Sequence, residues 1–156
     1  MKRTVILLVL VSCLLESCSD TRTSNYASVL EARRAGEFER GWLPAALPDD
    51  ATNIREIHNV DTNEVWGLFL FPQGTRERLE KQLIPTTTLE VSRRPIRNPH
   101  VDWWPEFLTG THTPGSLSKS DFAFYRSQDR TVYYFALDRH NGRAFFGPCH
   151  AKPRVE

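Results

Sequence analysis

The sequence predicts an α+β domain: an antiparallel β-sheet of about five strands packed against one or two helices. Three observations carry this. First, the C-terminal third holds three short runs rich in aromatic and β-branched residues: DFAFYR from 121, TVYYFALD from 131 and RAFF from 143. Asn141-Gly142 between the last two is a strong hairpin signal. Second, residues 51–71 read as another hairpin, ATNIREIHNV and VWGLFLF around the turn Asp61-Thr62-Asn63. Third, two segments with helical spacing are bounded by caps, glycine and proline.

Taken in order, a helix is expected over 25–38, capped by Ser24 or Thr23, with Tyr26, Val29 and Leu30 as its apolar stripe and Gly36 near its end. Pro44 and Pro48 then stop any helix, and Trp42 and Leu43 are apolar anchors expected to plug one end of the core. In the strand 51–60, Ile54, Glu56, His58 and Val60 share one face, with Arg55, Ile57 and Asn59 on the other. VWGLFLF is mostly apolar and belongs in the middle of the sheet, covered on both faces. Thr75 is the expected cap of a helix over 76–84, with Leu79 and Leu83 four apart and Glu77 placed to pair with Lys81. Residues 86–92 are the candidate edge strand, with Leu89 and Val91 inward. The stretch 93–120 is irregular, with four prolines and Trp103-Trp104-Pro105. At least one of these tryptophans is expected to cover an open end of the sheet. Phe122, Phe124, Tyr134, Leu137, Trp66 and Leu68 are expected in one core with Leu79 and Leu83.

The N-terminus predicts the compartment. Lys2 and Arg3 precede the charge-free run VILLVLV, which is too short to span a bilayer and fits a secretory signal. Its end resembles a bacterial lipoprotein signal, in which a small residue precedes a cysteine that receives diacylglycerol and fatty acids such as palmitate. Two cysteines compete. Cys18 leaves a comfortable apolar region and a polar segment behind it; Cys13 in Leu10-Val11-Ser12-Cys13 is the better local match. Cys18 is preferred, with Cys13 the alternative. This divides the chain into a signal peptide (1–17), a tether (18–25), a single α+β domain (26–150) and a flexible tail (151–156). The expected location is the bacterial cell envelope, membrane-anchored through the N-terminal lipid and facing the periplasm; the alternative is a secreted soluble protein.

Composition narrows the function classes. The chain has 156 residues, 40% hydrophobic and 25% charged, as expected of a folded domain. Of 20 basic and 19 acidic residues, removal of 1–17 takes Lys2, Arg3 and Glu16, leaving 18 of each. A neutral chain has no electrostatic footprint for nucleic acid. Three cysteines are too few for a disulfide scaffold. Cys149 is left alone if Cys18 is lipidated, and is open to pairing with Cys18 if Cys13 is.

Several features occur in one order: Gly36-Glu37-Phe38-Glu39-Arg40-Gly41-Trp42-Leu43-Pro44, Leu47-Pro48-Asp49-Asp50-Ala51-Thr52-Asn53-Ile54, His58-Asn59-Val60-Asp61-Thr62-Asn63, Trp103-Trp104-Pro105, and a closing hairpin with Leu137-Asp138 and Asn141-Gly142. Across most of residues 26–147 the chain resembles small bacterial envelope lipoproteins of the YbbD head domain type. The resemblance implies a lipid-anchored α+β domain. It brings no established activity, so no catalytic residue is carried over.

Glu56, His58 and Asp61 form the most suggestive cluster, since a carboxylate beside an imidazole positions a proton or contributes to a metal site. Two ligand types on one strand do not make a zinc site, however. A hydrogen-bond set pinning the hairpin is the expected role. His100 and Asp102, with His112, are a second grouping of nonspecific spacing. No nucleophile elbow, phosphate loop or CxxC motif is present, and Cys149 and His150 are neighbours that point apart on a strand. Arg93, Arg94 and Arg97 read as a solvated loop. The sequence therefore leads to a lipid-anchored, non-enzymatic binding or structural module, without catalytic residues, metal or cofactor. Its candidate binding surface is Trp103, Trp104, Glu56, His58 and Asp61, and its partners are the membrane and another envelope protein. The alternative is an immunity- or inhibitor-type lipoprotein that blocks a secreted toxin or enzyme.

Overall fold

Val65-Trp66-Gly67-Leu68-Phe69 carries apolar residues at successive positions, so both faces of its strand need cover. The computed structural model, which describes residues 20–87, 95–110, 114–128 and 131–148, supplies that cover on both sides. The strands are β1 (Thr21–Ser28), β2 (Thr52–Asn59), β3 (Glu64–Leu70), β4 (Ile84–Pro85), β5 (Phe122–Arg126), β6 (Tyr133–Asp138) and β7 (Arg143–Pro148). They form one seven-stranded antiparallel sheet in the order β1-β2-β3-β7-β6-β5-β4. Two meanders, β1-β2-β3 and β5-β6-β7, are joined by the pairing of β3 with β7, where Gly67 lies opposite Phe146.

The helices are short: α1 (Val29–Arg34), α2 (Arg76–Gln82) and α3 (Pro114–Ser118). The fold is thus mostly sheet, with seven strands where about five were expected. The strand with no counterpart in the sequence reading is β1. Residues 21–25, read as tether, and 25–28, read as helix, pair with β2 from Thr21↔Asn59 to Ser28↔Thr52. The helix begins at Val29, with Ser28 as cap accepting from the Glu31 amide at 3.3 Å. Glu31 reaches back to the Ala27 amide at 2.8 Å, a variant of the capping box.

Successive residues of each strand feed two separate cores. One face gathers Ile54, Val65, Phe69, Tyr133, Phe135, Leu137 and Phe146 under α1, α2 and the segment between α1 and β2. The other gathers Ile57, Trp66, Leu68, Phe122, Phe124 and Phe145 under Trp104, Leu108 and Leu117. The single core expected from sequence is therefore two: Leu79, Leu83 and Leu137 lie on one side, while Phe122, Phe124, Tyr134, Trp66 and Leu68 lie on the other. Both faces of β3 being apolar hides this split, because the side-chain alternation shows only in the pleat.

Two further expectations shift. Thr75 precedes α2, but its hydroxyl donates to Asp50 Oδ2 at 2.5 Å and makes no cap hydrogen bond; Arg78 joins the same oxygen at 2.9 Å. Among the described residues the edge strand is Ile84–Pro85, followed by a bond from the Thr86 amide to Phe124 O, and most of the expected strand 86–92 lies outside them. Leu89 and Val91 lie outside the described residues. The Asn141-Gly142 hairpin forms as expected. Asp138, 3% exposed, ties it by accepting from the His140 and Asn141 amides at 3.0 and 3.1 Å and from Arg143 at 2.8 Å.

Candidate functional site

β2 alternates, so Ile54, Glu56 and His58 project to the helical face of the sheet and Ile57 to the other. Glu56 is 0% exposed and His58 5%. Glu56 Oε1 and His58 Nδ1 are 2.5 Å apart. Trp42 lies flat on the imidazole, ring centroids 4.0 Å apart and planes within 5°. The two polar groups are thus closed over by an aromatic ring, with a neighbour the sequence did not reveal: Glu37.

Glu37 is placed by the end of α1. Gly36 adopts φ 78°, its amide bonds Arg33 O at 2.9 Å and the Glu37 amide bonds Ala32 O at 3.2 Å, the two bonds of a Schellman ending. That turn drives the Glu37 side chain inward. It accepts from the Tyr26 hydroxyl at 2.6 Å and from Arg40 at 2.7 Å. Its backbone carbonyl in turn accepts from the Trp42 and Leu43 amides at 3.0 and 3.3 Å, which seats Trp42 over His58. Register puts Ser24 opposite Glu56 and Arg22 opposite His58. One oxygen of each buried carboxylate, Glu37 Oε2 and Glu56 Oε2, has no hydrogen-bond partner among the described residues.

Electrostatics follow from this burial. Desolvation, then the charge of Glu37, pushes the Glu56 carboxyl up to about 8, against the opposing pull of Ser24 and Arg40. Desolvation lowers the His58 imidazole, with Arg22 and Arg40 acting in the same sense and Glu37 against it. Both shifts favour the uncharged form of each group. Burial, and then Glu37, likewise raises the Tyr26 hydroxyl. Ser24, opposite Glu56 in the register, acts to lower its carboxyl.

The other predicted site residues lie elsewhere. Asp61 is exposed in the β2–β3 turn, where a hydrogen bond with Asp20 raises its carboxyl; it is no part of the Glu56–His58 cluster. The chain turns after Asn59, whose side chain accepts from the Asp61 and Thr62 amides. Trp103 and Trp104 belong to the opposite face of the sheet. Trp104 is buried edge-on against Phe145 at 6.0 Å, covering a face where an open end was expected, and half-buried Trp103 meets it at 6.3 Å. The five residues of the predicted binding surface therefore do not form one surface. His100 and Asp102 are exposed; His112, Cys13, Cys18, Cys149, His150, Arg93 and Arg94 lie outside the described residues. Arg97 pairs with Glu64 at 3.2 Å. Among the described residues no group of three His, Cys, Asp or Glu is disposed to hold a metal ion, and no helix is long and apolar enough to cross a membrane. An open cleft of about 650 Å³ between Asp50, Phe71 and Arg143 includes none of the predicted site residues.

Comparison with curated proteins and with solved structures finds no match. Trp103-Trp104-Pro105 and the closing hairpin fall outside the family match, which ends with the last residue of β3. The segment that carries β1, α1, β2, β3 and the whole Glu37–Glu56–His58 cluster is similar to the YbbD head domain, whose family model matches residues 20–70.

Proposed function

We propose that the protein is a lipid-anchored envelope protein that acts as a non-enzymatic binding or structural module. One observation carries the reading: Glu56 and His58, the acid–base pair picked out in the sequence, are hydrogen-bonded to each other and sealed beneath Trp42. Groups bonded to each other and closed off from solvent in this way do not meet a substrate. What the domain offers to a partner is its exterior: the outer edge of β1, and the side of the 96–110 segment where half-buried Trp103 and Phe107, 36% exposed, stand out.

Cys18 is the proposed anchor, and the test is made on the full chain in bacteria fed labelled palmitate. The label and the membrane fraction are expected to hold wild type and Cys13→Ser, and to lose Cys18→Ser. Retention of label by Cys18→Ser moves the anchor to Cys13; absence of label from wild type overturns the anchored reading. Cross-linking in the intact envelope addresses the module. The partner pattern is expected to survive Glu56→Gln and to fade with Trp103→Ala.

A further inference from the structure

Residues 36–43 cross the helical face of the sheet as a strap with a positive-φ glycine near each end, Gly36 at 78° and Gly41 at 76°. These are positions where backbone rotates without a side-chain penalty. The strap is fastened at three points. Glu37 accepts from Tyr26 on β1 at 2.6 Å, Gly41 O accepts from the Tyr133 hydroxyl on β6, and Trp42 is stacked on His58. Two carboxylates meet there, one on the strap and one on the sheet, each with a buried oxygen that has no hydrogen-bond partner among the described residues.

We propose that the strap is a pH-sensitive latch: the proton held between Glu56 and His58 keeps it seated, and loss of that proton sets Glu56 against Glu37 and lifts the strap from the sheet. The proton leaves to bulk water. The imidazole then donates from Nδ1, so the hydrogen bond of the pair survives and what changes is charge. The surroundings offer the new anion little. From β1 it faces Arg22, Ser24 and Tyr26; Ser24 and Arg40 already act on it, and Tyr26 is engaged by Glu37. From the strap, Arg40 is committed to Glu37 at 2.7 Å and Ala35 O at 2.6 Å. From β3, the residues opposite Glu56 and His58 are Gly67 and Val65, which do not titrate. From β6, Tyr133 holds Gly41. Two like charges in a dry site are relieved most directly by moving the one mounted between glycine hinges. The latch is independent of whether the chain is lipidated.

Amide hydrogen exchange on the full chain tests it. The reporters are the Trp42 and Leu43 amides, both bonded to Glu37 O, with the Phe135 amide in β6 as reference. Between pH about 6.5 and about 9, after correction for intrinsic exchange, strap protection is expected to fall about tenfold relative to Phe135, one factor of ten per pH unit beyond the Glu56 titration. Glu56→Gln and Glu37→Gln each remove one of the opposed charges, and either is expected to abolish the fall; whichever folds suffices. Equal loss at Phe135, constant strap protection in wild type, or an unchanged fall in the variants would overturn the latch.

Discussion

Gly67 is expected to be among the least replaceable residues of the sheet. It sits in β3 opposite Phe146, and a Cβ built there meets Phe146 Cζ at 2.0 Å, Cε1 at 2.2 Å and Cε2 at 2.8 Å. The Phe146 ring, 1% exposed, lies across the space a side chain would take, and it has nowhere to retreat. Tyr133 meets it edge-on at 5.7 Å, Phe135 lies at 6.0 Å and Phe69 at 6.4 Å. Restoring an ordinary contact distance means displacing that ring, and overpacking of this kind costs about 1–3 kcal/mol or more. Replacing a strand glycine by alanine returns roughly 0.5–1 kcal/mol of chain entropy. A net loss of about 1–2 kcal/mol is therefore expected for Gly67→Ala, a fall in Tm of roughly 2–8 °C for a chain of this size. Urea unfolding of wild type, Gly67→Ala, Phe146→Leu and the double variant completes the cycle. The double variant is expected to be more stable than the sum of the single losses implies, by about 1–2 kcal/mol, since leucine vacates the contested space. Additive losses, or a Gly67→Ala protein as stable as wild type, would refute the packing argument.

Two more outcomes follow from the same geometry. The Asp138 carboxyl is raised by its burial but lowered on balance by hydrogen bonds from His140, Asn141 and Arg143, so its contribution is present above 3.8 and lost as pH falls through the lower folded value. Asp138→Ala is expected to cost about 1–3 kcal/mol near neutrality, with the gap to wild type narrowing in acid unfolding titrations. Trp104→Ala, which empties a buried site over Phe145, is expected to cost about 3–5 kcal/mol in urea unfolding, whereas Trp103→Ala, at a half-buried position, falls well short of that.

The elements read from the sequence were those whose signals are local. The C-terminal meander, its Asn141-Gly142 turn and the hairpin around Asp61-Thr62-Asn63 all carry their turn chemistry in adjacent residues. β1 was missed because TRTSNYAS has no apolar alternation; at the sheet edge only Tyr26 is packed on a core, and the strand is held by pairing with β2. A signal was present nonetheless: Ser28-x-x-Glu31 marks where the helix starts, four residues after the cap inferred at Ser24. Glu56 and His58 were legible as neighbours because a strand brings i and i+2 together. Glu37 was not, since a Schellman turn and the sheet between them decide its approach. Asp61 is near the pair in sequence alone, and the turn at Asn59 separates it.

The pairing of β3 with β7 also dictates an order of events during synthesis. Until Arg143–Pro148 is available, Glu64–Leu70 has one unpaired edge, and Val65-Trp66-Gly67-Leu68-Phe69 is a flat, apolar, uncharged template of the kind that recruits other chains. The partner strand lies more than seventy residues further along the chain, so closure of the sheet is a long-range, slow step. The first meander, excised after residue 70, would present that edge permanently. A nascent chain needs that edge shielded until β7 arrives, and the vulnerable interval in the life of this protein lies before folding is complete.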